Sequence, residues 1–197
     1  MQPQVLTREE AQALLAACPQ TTAGIRDRAV LVTLYRGAAR ISATLAIRPS
    51  DIDWDRQLIT FQRDKGGKGR TIVIDPEAMD ALRAWAERRK SLGLNGRHPF
   101  FCATSRSARG KPLQASHFRH KIKALAKKAG IEKRCHLHGL RHTAASEMLE
   151  EGIDIATIAA QLGHSDISIT AVYLHRVRPD LGNARLAQRT WQWPNVS

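Results

Sequence analysis

At 197 residues with 43% hydrophobic side chains, the chain has enough material for one core and too little for two large domains. It contains no apolar run of the ~18 residues that a membrane span needs, and the opening Met1-Gln2-Pro3-Gln4 lacks the basic tip and greasy stretch of a secretory signal. Against 18 Asp and Glu stand 31 Lys and Arg, a net charge of +13 that draws a polyanion; nucleic acid is favoured over lipid because no stretch demands an exposed apolar helix face.

In chain order, Thr7-Arg8-Glu9-Glu10 forms a capping box, and Ala11, Leu14 and Leu15 follow at helical spacing before Pro19. A second helix is predicted from about Arg26 through Leu31, Leu34 and Tyr35 toward Arg40, with helical character resuming after Arg40 and stopping before Pro49. Asp51-Ile52-Asp53-Trp54 reads as a turn entering a strand. Leu58 to Gln62 and Thr71 to Ile74 read as an antiparallel hairpin whose glycine-rich tip, Asp64 to Arg70, is unusually basic. Asp75-Pro76 starts a helix that continues through Met79, Leu82 and Trp85 to Lys90. Ser91 to Leu113 is loop, with a candidate short strand at Phe100-Phe101. Three more helices are expected: about Ala115 to Lys128, from after His138 to about Glu150, and Ile155 to Leu162, each followed by a glycine. The sum is a mainly α fold with a small antiparallel β-sheet.

Cys18, Cys102 and Cys135 are widely spaced and form no paired ligand motif, which fits a reducing compartment and predicts a cytoplasmic, DNA-associated protein.

Cationic groups stand at four places where a core does not want them. Arg40 follows the small residues Gly37-Ala38-Ala39, which permit close approach of a backbone or ligand; a snorkelling surface arginine is the plain alternative. Lys65, with Lys68 and Arg70 behind it, sits on the basic turn, which suits phosphate contact or simple solvation. His138 and Arg141 share a helix face near a helix start and make a grip for one phosphate. Three histidines within His136 to His142 also admit zinc, but no supporting Cys, Asp or Glu ligand is evident at suitable spacing. The fourth place is Leu162-Gly163-His164, followed by Tyr173; a lone tyrosine is ordinarily structural.

Taken together, His138-x-x-Arg141-His142, Leu162-Gly163-His164-Ser165 and Tyr173 resemble the signature of the tyrosine recombinases, or phage-type integrases. Arg40-Ile41-Ser42, the turn at Asp51-Ile52-Asp53 and Lys65 on its hairpin match the same family in order, and the resemblance spans about residues 5 to 178. It implies the tyrosine recombinase catalytic-domain fold over residues 1–178, with 179–197 as a C-terminal tail able to dock on a neighbouring subunit. It implies that Arg40 and Arg141 clamp the scissile phosphate and that Lys65 serves the leaving oxygen. His138 and His164 would bind phosphate or assist proton transfer, with Tyr173 as nucleophile. It further implies a 3′-phosphotyrosine intermediate, no metal or other cofactor, and double-stranded DNA as partner. A homotetramer on paired sites, a monomer free in solution and an accessory DNA-bending protein complete the expectation. Further DNA contacts are expected from Lys68, Arg70, Arg119, Lys121, Lys123, Lys127 and Lys128, with Lys133 and Arg134 extending the run.

The chain departs from the family at Ala38 and Ala39, where glycine and a bulky apolar residue are usual. Ala43 replaces the usual glutamate and Thr44 a common leucine; the lost carboxylate, which helps orient active-site arginines, predicts weakened catalysis or reliance on a partner. The resemblance begins within the first ten residues. This suggests either a short recombinase of the fimbrial-switch type, which Met1 favours, or a fragment lacking an N-terminal DNA-binding domain. Two other readings share the residues: a non-catalytic DNA-binding regulator with a helix-turn-helix in 141–170, and a type IB-like topoisomerase.

Overall fold

The structure, a computed structural model, describes residues 5–62, 69–164, 166–168 and 170–172. Lys65, Lys68, Tyr173 and the tail 179–197 lie outside the described residues.

Helix α1, Arg8–Ala16, begins at the expected capping box: the Thr7 hydroxyl accepts from the Glu10 amide at 3.2 Å, and the Glu10 carboxylate accepts from the Thr7 amide at 2.7 Å. Helix α2, Thr22–Tyr35, starts a turn earlier than the sequence predicted because Thr21 caps it through the Gly24 amide. It also ends earlier. Ala38 takes a left-handed backbone, φ 47°, which breaks the helix before Arg40. Arg40 becomes the N-cap of the short α3, Ile41–Ala46.

A 3₁₀ turn, Pro49–Asp51, leads into β1, Ile52–Asp53; β2, Leu58–Phe61, and β3, Arg70–Val73, complete an antiparallel sheet in the order β1-β2-β3. Ile59 pairs with Ile72 and Phe61 with Arg70, which turns Ile59, Phe61 and Ile72 into the core. Helix α4, Pro76–Ser91, is capped by Asp75 as expected. Phe100 and Phe101 are buried but form no strand; the segment holds only an isolated bridge between Cys102 and Pro112. Helices α5, Ala115–Lys128, and α7, Ile155–Leu162, match their expected spans, and α6, Leu137–Glu150, starts ahead of His138 because His136 caps it. The mainly α fold with one small antiparallel sheet is as the sequence predicted.

α2 lies at the centre. Leu31, Leu34, Ala29 and Val30 are wholly buried, and the helix packs on α4, α6, α1 and α3. Trp85 of α4 fills the core and donates its indole N–H to the Phe100 carbonyl at 2.8 Å. A polar network ties three helices where α2 ends. The Tyr35 hydroxyl donates to Glu147 at 2.6 Å, and Arg36 donates to Glu147 at 3.1 Å and to Asp75 at 2.6 Å. The chain's entry is fastened to α6: the Leu6 amide donates to Thr143 Oγ1 at 3.1 Å, Arg8 pairs with Glu151, and Lys133 reaches Glu10 at 2.8 Å. All three cysteines are buried thiols, and burial raises those of Cys18 and Cys135 to about 11. Among the described residues, no helix is long and apolar enough to cross a membrane.

Candidate active site

The short helix-start at Arg40, the first turns of α6 and the end of α7 meet at one place. Arg141 joins them. Its side chain is 3% exposed, and its guanidinium donates to the Ala38 carbonyl at 2.7 Å, to the Leu162 carbonyl at 2.5 Å, and to His164 Nε2 at 3.1 Å. The left-handed turn at Ala38 presents that carbonyl, so the backbone strain immediately before Arg40 is coupled to the hold on Arg141.

Gly163 ends α7 in the left-handed conformation, φ 64°. Its missing side chain is needed twice: a Cβ there would also lie 2.6 Å from Arg70 Cδ. The turn releases His164 toward Arg141. Because arginine has no acceptor, His164 Nε2 must accept; the proton therefore sits on Nδ1, which donates to Thr170 Oγ1 at 2.7 Å. His164 is thus a neutral imidazole at rest. Burial and the charges of Arg141, Arg40 and Arg70 lower its pKa to about 4.

His138 stands on the exposed rim of the α6 start, its ring edge-on to His142 at 4.5 Å. Its pKa is lowered by partial burial, then by Arg141, His136 and Arg40. His142 is driven to about 4 by burial, then by His138, His136 and Arg141. His136 does different work: its Nδ1 accepts from the Gly139 amide at 2.7 Å and caps α6. Among the described residues, no group of three or more His, Cys, Asp or Glu is placed to hold a metal ion.

Of the site residues singled out from sequence, Arg40, His138, Arg141 and His164 therefore fall into one strongly cationic cluster. Burial first, and neighbouring guanidinium charge after it, lowers the pKa of both histidines, and the same cationic field favours an incoming anion such as a phosphodiester. Arg70, expected at the basic hairpin, borders the same cluster: it donates to the Gln161 carbonyl and lies over the Phe61 ring at 5.1 Å. Gln161 was not singled out from sequence, although a lone amide near the end of the apolar run Ile155-Ala156-Thr157-Ile158-Ala159-Ala160 was a visible signal. Ala43, where the resemblance places a glutamate, borders an open cavity of about 660 Å³ that Asp51, Phe61 and Gln62 also line.

The basic run on α5 divides by face. Arg119, Lys123 and Lys127 are exposed along one stripe. Lys121 instead turns to the buried Asp27 at 3.2 Å, and Lys128 donates to the Ala17 carbonyl at 2.9 Å. Asp27 also accepts from Arg26 at 2.6 Å, so Lys121 belongs to a buried ion-pair group.

A family model described as "Phage integrase family" matches residues 4–178. The chain is 35% identical over 171 residues to tyrosine recombinase XerA of Thermococcus kodakarensis, covering 87% of this chain and 57% of that protein. It is 38% identical over 173 residues to tyrosine recombinase XerC of Xanthomonas campestris, covering 88% and 51% respectively. The crystal structure of XerA recombinase superposes with a TM-score of 0.81 at 27% identity, covering 98% of this chain and 67% of that one. The catalytic domain of bacteriophage HP1 integrase superposes at 0.57 and 25% identity, covering 93% and 94%. The chain spans about half the length of the curated relatives it matches.

Proposed function

This chain belongs to the phage integrase family of tyrosine recombinases, and on that premise we propose that it is a site-specific recombinase that cuts and rejoins duplex DNA through a 3′-phosphotyrosine intermediate, without metal or ATP. The observation that carries the reading is the position of Arg141: buried, fixed by two backbone carbonyls and His164, and sharing one electrostatic neighbourhood with Arg40 and His138.

A phosphodiester gains negative charge on its non-bridging oxygens in the transition state, and the rigid forks of Arg40 and Arg141 are suited to receive it. His138 and His164 hold phosphate or pass protons. The Tyr173 phenol gives its proton to a neutral imidazole of the cluster as its oxygen attacks phosphorus, a phosphotyrosine bond forms, and the bond to the 5′-oxygen breaks. Lys65 supplies the proton that the departing oxygen takes up. Attack by another strand's 5′-hydroxyl reverses these steps and reseals the duplex, so no outside energy source is needed. The sequence contains two tyrosines, and the other, Tyr35, is 3% exposed and bonded to Glu147. Burial and that carboxylate raise its pKa, which makes it a poor nucleophile and supports Tyr173 in the role.

In this reading residues 1–178 form the catalytic unit and 179–197 a segment that docks on a neighbouring subunit. The partner is double-stranded DNA, held as a tetramer on paired sites, with a monomer free in solution and an accessory DNA-bending protein assisting. The setting is cytoplasmic. Lys68 and Arg70, with the exposed Arg119, Lys123 and Lys127, contact the DNA backbone; Lys121 and Lys128 lend charge from their internal pairs.

The test uses a nicked duplex carrying the element that the chain selects from random-sequence DNA. A denaturation-resistant protein–DNA adduct is expected with the natural sequence and none with Tyr173→Phe. An adduct of equal yield from Tyr173→Phe removes Tyr173 from the mechanism.

A further inference from the structure

Strand β3 is an edge strand. One side pairs with β2, and the other offers the amide and carbonyl of Val73. The side chain of Gln161 takes both: Gln161 Oε1 accepts from the Val73 amide at 3.2 Å, and Gln161 Nε2 donates to the Val73 carbonyl at 2.8 Å. The amide group thus stands in for one residue of a neighbouring strand. The same residue holds the other end of β3, because its backbone carbonyl accepts from the Arg70 guanidinium. A longer contact, 3.5 Å, runs from Nε2 to the Gly37 carbonyl, in the segment that leads to Arg40. The residue after Gln161 is Leu162, whose carbonyl receives Arg141, and His164 follows.

One residue therefore joins both ends of β3 to the helix end that bounds the arginine–histidine cluster. β3 is also the strand that follows the segment carrying Lys65 in sequence. We propose that Gln161 is a positioning residue that registers β3 on the Arg141–His164 cluster, and through β3 the proton donor on the departing 5′-oxygen. This rests on Lys65 being that donor. Gln161 itself touches no reacting atom. The fold alone does not need it: β3 already pairs with β2 over Leu58 to Phe61, and the core beneath is apolar.

Gln161→Met keeps the side-chain length and removes both bonds to Val73. Cleavage of the selected nicked duplex is compared with the same duplex carrying sulfur in place of the bridging 5′-oxygen at the scissile phosphate. A thiolate leaves without a proton, so defects in proton donation vanish on that substrate. Displacement of a positioned group costs on the order of 10²-fold, and that is the loss expected on the oxygen duplex. On the sulfur duplex the loss should shrink to less than about threefold, since the donor contributes nothing there. An equal loss on both duplexes, or none on either, overturns the proposal. Lys65→Ala run beside it separates the two claims: its failure to recover on sulfur faults Lys65 as the donor. Gln161 is then judged by amide hydrogen exchange, which needs no DNA. Exchange at Val73 should quicken roughly tenfold in Gln161→Met while that of α2 stays unchanged. No change at Val73, or a rise throughout the chain that makes Gln161 a general stability residue, overturns the proposal on this measure too.

Discussion

His142 and His164 share an unusual state: each is held neutral well below the ordinary histidine range, with a pKa of about 4 against a usual 6.5. For both, burial is the largest cause and neighbouring cations add to it. Between those two values the unfolded chain binds protons that the folded chain does not, so stability rises with pH across the window and falls on acidification. Chemical denaturation at steps from neutrality downward should give a constant midpoint above about pH 7 and a falling one from 6.5 toward 4. His142→Gln should flatten part of that fall. At this scale the sequence singled out Arg40, His138, Arg141 and His164, which the fold gathers into one cluster, because a cation inside an apolar or glycine-bounded stretch is conspicuous in one dimension. The Tyr35–Glu147 bond was hidden, since its partners lie 112 positions apart and only packing brings them together. Gln161 stood out only as a lone amide near the end of an apolar run; its partners Val73 and Arg70, 88 and 91 positions away, are met only in the fold.

Two helix starts were legible because their chemistry is local: Thr7 with Glu10 and Asp75 before Pro76 each cap as their sequence pattern suggests. The end of α2 was not. Residues 36–40 hold no breaker beyond Gly37, and the left-handed turn falls on Ala38, which costs about 1 kcal/mol or more by itself. Arg141, donating to the Ala38 carbonyl, is a tertiary contact that offsets this. The short α3 carries another departure. Thr44 is wholly buried, and among the described residues its hydroxyl has no hydrogen-bond partner. A buried hydroxyl left unsatisfied costs about 1–3 kcal/mol. Thr44→Val should therefore raise the unfolding free energy by about 1 kcal/mol in urea titration. An unchanged or lowered midpoint would mean that the hydroxyl meets a partner in solution.

For the molecule as a whole, the +13 surplus predicts DNA binding that weakens steeply with salt. Not every lysine takes part equally. Lys123→Ala and Lys127→Ala should each lower the slope of log K against log salt by about one, as befits a lost phosphate contact. Lys128→Ala should leave the slope nearly unchanged, because that ammonium is engaged with the Ala17 carbonyl, and Lys121→Ala should chiefly lower the melting temperature by weakening the group around Asp27. Composition announced the charge and its sign; it could not sort the lysines by face, which depends on how α5 lies against α1, α3 and α6. The fastening of the chain's entry bears on how force travels. The Leu6 amide, Arg8 and Lys133 link the first described residues to α6 and the segment just before it. A pull on residues 1–4 is delivered there before it reaches the sheet. Since α6 is the helix that holds Arg141, tension at the start of the chain becomes slack or strain in the arginine–histidine cluster.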